Sequence, residues 1–356
     1  MASSTSTLWE KSGKKMVKTN YSAGPEVSII LPVRNEAVSL DATLASACSQ
    51  ATDASIEVII VDDHSTDSSR SIIERWVAQD ERVRLLSNPR RGVPQALNRG
   101  LEVARGRYLI RVDGHSIVPP DYVQALLDHL RSGACEGAGG HKRAVGQGPF
   151  GRAVAAAHGS RFGIGNSEYH YSQRLELVDH IPFGAYVTEW ARAIGGWDEE
   201  LRTNEDYDFD FRYQQAGGRL LYDPSIVFEW RVRETPAGLA QQYYAYGHGK
   251  FRALARHRSS LHLRWLVPPM LVGSLAAGIL LSWTAPGRVF LAVVGGSYAL
   301  FLVVGAATLG SRVGMRLAPH AALALGTIHL CWGTGFLVSV GKAVLGRLPG
   351  FRRLRA

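Results

Sequence analysis

Gly106-Arg-Tyr-Leu-Ile-Arg-Val-Asp-Gly-His-Ser-Ile-Val-Pro-Pro120 decides how this chain reads. Tyr108 to Val112 are mostly aromatic, aliphatic or β-branched, the composition of a strand covered on both faces. Gly114 allows a sharp turn directly afterwards. Asp113 and His115, two residues apart, then aim at one point beyond the carboxyl end of the strand. A carboxylate oxygen and an imidazole nitrogen suit a divalent cation such as Mn²⁺ or Mg²⁺, and that cation can hold a diphosphate. The triplet alone decides little, since Asp-x-His recurs by chance and a capped turn with a surface histidine fits it equally well.

The segments upstream repeat the pattern. Val27-Ser-Ile-Ile-Leu-Pro-Val33 reads as a buried strand followed by Arg34-Asn35-Glu36, with a helix from about Ser39 or Asp41 to Gln50. Ile56 to Val61 is a second strand ending in Asp62-Asp63-His-Ser-Thr-Asp67, which also reads as a turn and helix cap. A helix over Ser68 to Gln79, a short strand over Val83 to Leu86, the turn Asn88-Pro-Arg-Arg-Gly92 and a helix over Pro94 to Ala104 complete the run. Strands alternating with helices predict an α/β fold with a doubly wound, mostly parallel sheet. Glu36, Asp62, Asp63, Asp113 and His115 then gather at strand carboxyl ends, where open α/β sheets bind ligands.

These residues resemble the inverting glycosyltransferases of family 2. The match runs through Ile29-Ile-Leu-Pro-Val-Arg-Asn-Glu36, Glu57 to Asp67, Asn98-Arg-Gly-Leu, Arg111-Val-Asp-Gly-His115, Gly195-Gly-Trp-Asp198 and Asn204-Glu-Asp-Tyr-Asp208. It covers about Val27 to Tyr222. The resemblance implies a GT-A (nucleotide-diphospho-sugar transferase) fold with a mixed sheet, and hexosyltransferase-type chemistry on a nucleotide-diphosphate-sugar. It also implies that Pro32, Val33, Arg34, Glu36, Asp62, Asp63, Gly92, Asn98 and Asp113 bind the donor. Asp113 and His115 would ligate the divalent cation, Asp206 would be the general base and Glu205 would place the acceptor. Most relatives carry a second Asp where His115 stands, and a histidine softens the preference toward Mn²⁺. A third ligand is not identified by pattern, with Glu229 and His158 the weak choices. Phe162-Gly-Ile-Gly-Asn166, Pro182-Phe-Gly-Ala-Tyr186 and the apolar carboxyl-terminal third are similar to the membrane-attached subgroup that includes succinoglycan glycosyltransferases.

Beside that likeness, Glu205 and Asp206 read simply as first-turn residues complementing a helix dipole. In such a helix Asp206 and Asp210 lie four apart on one face. Asp121 to Ser132 and Thr188 to Ile194 read as helices, and Leu220 to Phe228 as a closing strand. The glycine-rich Gly133 to Gly151 is expected to be an open loop or hairpin, and Glu168 to Arg174 a polar surface loop.

Composition divides the chain. From Leu266 to Gly341 there are three Arg and no Lys, Asp or Glu in 76 residues. Three apolar spans, Leu266 to Trp283, Val289 to Leu309 and Leu317 to Val340, each approach the roughly 20 residues a bilayer requires. The expected organisation is a tail over 1–25, a catalytic domain over 26–235, an interfacial segment over 236–265, membrane helices over 266–341 and a basic tail over 342–356. Gln241 to Arg252, aromatic and basic, suits a membrane surface. With the catalytic part cytoplasmic at the cell membrane, three full crossings put Lys342, Arg347, Arg352, Arg353 and Arg355 outside, against the positive-inside tendency. That points to a re-entrant or tilted first span, where Pro268-Pro269 lies.

The net charge of +9 sits in the Lys-bearing amino terminus and around the apolar region, which argues for anionic lipid and against nucleic acid. Cys48, Cys135 and Cys331 have no ligand spacing, and the polar amino terminus predicts no secretory signal. The favoured expectation is transfer of a single sugar to a lipid-linked, polyprenyl-diphosphate-type acceptor in polysaccharide or exopolysaccharide biosynthesis. Polyprenyl phosphate as acceptor, a processive synthase and a non-catalytic membrane scaffold stay open. The processive reading is disfavoured because Gln241 and Gln242 are not followed by Arg-Trp at the expected spacing.

Overall fold

The computed structural model describes residues 24–165, 172–201, 203–257 and 262–346. The two tails beyond them, most of the polar Glu168–Arg174 loop and Asn166 lie outside the described residues.

The first half alternates as the sequence demands: β1 (Val27–Val33), α1 (Leu40–Cys48), β2 (Ile56–Asp62), α2 (Ser69–Gln79), β3 (Val83–Ser87), α3 (Val93–Val103), β4 (Tyr108–Arg111), β5 (Ser116–Ile117) and α4 (Tyr122–Arg131). Then follow β6 (Gly137–Val145), α5 (Gly148–His158), α6 (Arg161–Ile164), β7 (Glu176–Leu177), β8 (Ala185–Val187), α7 (Thr188–Ala193), α8 (Glu205–Gln215) and β9 (Leu220–Arg231). The order across the sheet is β3-β2-β1-β4-β8-β6-β9-β5, with β7 paired to β9. The β1, β2, β3 and β4 pairings are parallel, and β8 joins β4 antiparallel. The sheet is mixed, its parallel half being the part with alternating helices.

Every residue of β1 and β2 is buried, as their near-continuous aliphatic runs require. The exception in kind, Glu57, is satisfied by the Ser28 hydroxyl at 2.7 Å and by Arg84 and Arg105. Register fixes the site: Val33 pairs with Asp62, the Asp63 N–H donates to the Val33 carbonyl and the Val112 N–H to the Ile30 carbonyl. The carboxyl ends of β1, β2 and β4 therefore finish together, and the residues after them share one edge. Beneath lies a core of Ile30, Ile59, Leu97, Leu109, Trp197, Phe209 and Tyr213, in which Trp197 and Phe209 stack 4.3 Å apart.

The glycine-rich stretch after Ser132 is neither the open loop nor the hairpin expected. It becomes β6 and α5, and the glycines serve contact: a Cβ at Gly139 would lie 2.6 Å from that of Ile181, and one at Gly140 would strike the Ile226 carbonyl. Glycine here marks close backbone approach within a sheet.

The chain divides into two units, 1–143 with 172–230, and 144–171 with 231–356. In the second, α9 (Pro236–Arg256), α10 (Val267–Leu280), α11 (Ala285–Val313) and α12 (Ala318–Val344) follow one another. Among the described residues three helical segments, Leu263–Leu280, Ala285–Val313 and Met315–Val344, are long and apolar enough to cross a membrane. The aromatic segment read as interfacial is part of α9, which packs along α12. A Cβ at Gly247 would collide with the Trp332 carbonyl and one at Gly335 with that of Tyr244, the small-residue contact that lets helix backbones meet.

Candidate active site

Arg111 closes β4 and is buried, a charged end to an apolar strand that must find partners. Its Nε donates to Asp113 Oδ1 at 3.0 Å, and both terminal nitrogens face Glu205 Oε1 at 3.4 Å. One guanidinium thus ties the turn after β4 to the first turn of α8.

Glu205 is buried, and burial followed by the neighbouring Asp206 charge raises its carboxyl to about 7. Burial pushes Asp206 up too, but His180, Arg111, the Tyr207 N–H and Lys142 together hold it below the usual carboxylate value. The two adjacent carboxylates are driven apart, one toward the acid and one toward the ionised form, as acid/base sites require. The Asp206 side chain keeps 44% of its surface exposed against 10% for Glu205, so it is the one that an incoming molecule can reach.

Lys142 on β6 lies over the rings of Trp230 at 4.1 Å and Phe183 at 5.0 Å. Burial lowers its ammonium to about 8, with Asp113 and Asp206 opposing that fall. Phe183, Asn204, Asn35 and His64 are the non-glycine residues with positive φ among those described. Each lies beside or beneath a site residue, where strained backbone concentrates.

On the other strands, His115 Nδ1 lies 3.0 Å from Glu36 Oε1. An ionised carboxylate only accepts, so the Nδ1 proton is fixed and Nε2 of a neutral ring keeps its lone pair. Asp62 Oδ1 accepts from the Ser65 N–H at 3.1 Å and Oδ2 faces Arg70 at 3.5 Å. Asp62 also lines a cavity of about 390 Å³ with His64, Ser65, Thr66, Arg70, Ser87 and Arg91. Pro32 and Val33 end β1, and exposed Arg34 faces Asp63 at 3.8 Å. Asp63 is turned to the scaffold, accepting from Asn88 Nδ2 at 2.7 Å and from the Gly92 N–H at 3.1 Å. Asn98 holds the Trp197 carbonyl and N–H at 2.8 Å each, committing its side chain to joining α3 to the Gly195-Gly-Trp-Asp198 turn.

Both weak choices for a third cation ligand have other partners. Glu229 pairs with Arg143 at 2.7 Å. His158 is buried in the second unit between the Val154 carbonyl and the Tyr243 hydroxyl. Among the described residues no group of three or more His, Cys, Asp or Glu side chains forms a cation cage.

Three side chains of this cluster escaped sequence reasoning. Arg111 was detectable as a cation ending a buried strand, which demands partners, whereas Lys142 falls in the glycine-rich stretch read as an open loop or hairpin and becomes part of β6. His180 stands alone in Val178-Asp-His-Ile-Pro182, and only the acidic pair Asp206 and Asp210 hinted at a cation between them.

The mannosyltransferase PcManGT of Pyrobaculum calidifontis, solved with GDP-Man and Mn²⁺, superposes with a TM-score of 0.57 over 90% of this chain and 92% of that one. At 18% identity it shares the GT-A fold. Residues 28–190 match the family described as glycosyl transferase family 2. The chain is 32% identical over 321 residues to the succinoglycan biosynthesis protein ExoA of Rhizobium meliloti, covering 86% of this chain and 93% of the relative. It therefore belongs to glycosyltransferase family 2 and is a glycosyltransferase. A more distant relative, 22% identical over 72% of this chain and 83% of its own length, is the dolichyl N-acetyl-α-D-glucosaminyl phosphate 3-β-D-2,3-diacetamido-2,3-dideoxy-β-D-glucuronosyltransferase of Methanococcus voltae.

Proposed function

We propose that this enzyme inverts configuration while moving one sugar from a nucleotide-diphosphate-sugar to a lipid-linked acceptor at the cytoplasmic face of the membrane. The observation that carries the reading is the bridge from Asp113 through Arg111 to Glu205, which brings the edge suited to a diphosphate beside the exposed carboxylate of Asp206.

The residues fit a divalent cation completed by substrate. Mg²⁺ and Mn²⁺ in such enzymes take one or two protein ligands and fill the remainder with phosphate and water. Asp113 offers a carboxylate, and the Glu36 contact leaves His115 Nε2 as a donor, the carboxylate–histidine arrangement common behind metal ligands. When bound, the cation would offset charge growing on the departing diphosphate.

Asp206 removes the proton from the acceptor hydroxyl as that oxygen attacks the anomeric carbon. The bond from that carbon to the diphosphate oxygen breaks on the opposite side and its electron pair leaves with the nucleotide. Arg111 keeps Glu205 beside Asp206, and the half-buried cavity beside Asp62 receives the nucleoside. The acceptor class is supported by the three apolar helices of the second unit and by the relative whose name specifies a dolichyl-linked sugar.

The test is turnover by the purified full chain with Mn²⁺, labelled nucleotide-sugars and membrane lipid. Labelled lipid bearing one sugar is the expected product. Full turnover by Asp206→Asn overturns the mechanism, and polymer or water-soluble product overturns the acceptor.

A further inference from the structure

His180 stands between two carboxylates that lie one turn apart on α8. Its Nδ1 is 2.7 Å from Asp210 Oδ2, and its Nε2 is 3.7 Å from Asp206 Oδ2. Asp210 is completely buried and is fixed by two further donors, the Ile181 N–H at 2.9 Å and the Tyr186 hydroxyl at 2.8 Å. Three donors on one buried carboxylate leave it little rotational freedom, so the imidazole bonded to it is held as well. The His180 ring is 13% exposed and rests near the Tyr207 ring, with centroids 6.1 Å apart.

We infer that His180 is a positioning residue: Asp210 anchors its ring so that the Nε2 edge holds the Asp206 carboxylate ionised and oriented toward the acceptor hydroxyl. This rests on the reading of Asp206 as general base and adds to it a device built from β8, α8 and the segment before β8. The logic is that of an oriented histidine between an anchoring carboxylate and a reacting group, with the order of duties reversed: here a carboxylate reacts and the imidazole sets its charge.

The surroundings support the assignment. Among the described residues, charged groups acting on Asp206 besides His180 include Arg111 from β4, Lys142 from β6 and Glu205 beside it. Arg111 also serves Asp113 and Glu205, while Lys142 is set over Phe183 and Trp230. His180 is the group whose ring spans Asp206 and the buried anchor Asp210, and burial raises the Asp210 carboxyl while His180 opposes that rise.

The experiment compares the full chain with His180→Gln, Asp210→Asn, Asp206→Asn and the His180→Gln/Asp206→Asn pair, each checked for a folding transition. His180→Gln keeps a hydrogen-bonding side chain and removes the charge. We expect its kcat to fall about tenfold or more, donor KM to stay within about twofold, and the acid limb of kcat/KM to move to higher pH, because loss of a cation disfavours the Asp206 carboxylate. Asp210→Asn should move the same limb in the same direction, which serves if His180→Gln does not fold. Added to Asp206→Asn, His180→Gln should cost nothing further. A uniform loss at every pH, or a profile and kcat equal to those of the parent while Asp206→Asn is inactive, overturns the role of His180 alone. Full activity of Asp206→Asn would instead overturn the base assignment on which the inference rests.

Discussion

Arg111 and Glu205, ninety-four residues apart in sequence, form a buried ion pair with 3.4 Å between guanidinium and carboxylate. A buried pair is costly to break, because the surviving charge has no water to replace its partner. Arg111→Met should therefore destabilise the protein by about 3–5 kcal/mol at pH 8. At pH 6 the loss should be smaller, since Glu205, whose carboxyl is raised to about 7, is then less ionised and Asp113 is the partner left without its guanidinium. Chemical denaturation at the two pH values measures the difference.

Glu205 itself predicts the direction of a pH effect. Its folded carboxyl sits near 7, above the ordinary 4.5. The folded state thus holds a proton that the unfolded chain gives up, and the stabilisation present below about 4.5 is lost as pH rises through 7. Glu205→Gln should flatten the fall in melting temperature over that window. An unchanged slope would show that Glu205 titrates normally.

Lys142 predicts the opposite trend at alkaline pH. Its ammonium is lowered to about 8 from 10.5, so between those values the unfolded chain binds the extra proton and stability rises with pH. Lys142→Met should remove that rise and stabilise the protein at neutral pH, where the parent buries a charge. It should also lower kcat, through the lost cation near Asp113 and Asp206. Melting curves from pH 7 to 10.5 and single-turnover rates read the two effects separately.

Removal of divalent cations should abolish turnover, with Mn²⁺ restoring it. Glu36→Gln should weaken Mn²⁺ binding in the presence of nucleotide diphosphate by roughly 10- to 100-fold, because Glu36 fixes the proton on His115. His115→Asp should turn the preference toward Mg²⁺. Calorimetric titration of each cation checks both.

Gly140→Ala should lower the melting temperature by several degrees or prevent folding, since the added methyl meets the Ile226 backbone carbonyl rather than a side chain able to turn aside. Gly133→Ala, where a Cβ meets open space at φ 74°, should cost less. Parallel melting curves decide the order.

The parallel half of the fold was legible because its signals are local. Aliphatic runs gave β1, β2 and β4, and Ser68 to Gln79 gave α2 to within one residue. Asp62, Asp63, Asp113 and Glu36 could be placed at strand ends for the same reason. The antiparallel half was not legible in this way. In β6 the glycines answer to Ile181 and Ile226, forty or more residues away, and local propensity reads them as a loop. Side-chain direction was equally hidden: nothing in the Asp62-Asp63 pair says that Asp63 binds Asn88 and Gly92 while Asp62 borders the cavity. His180 is the extreme case, a single residue whose meaning comes from two carboxylates about thirty positions later.

The second unit is assembled from two separated lengths of chain, 144–171 and 231–356. Within it, α5 sets Ala153, Val154 and Ala157 against neighbours that include α11 and α12. Truncation after Trp230, the obvious way to prepare a soluble catalytic fragment, would strip that helix of its cover while leaving it tethered at both ends inside the fragment. A fragment limited to the first unit would therefore need 144–171 redesigned or bridged, and deleting 231–356 alone does not supply it.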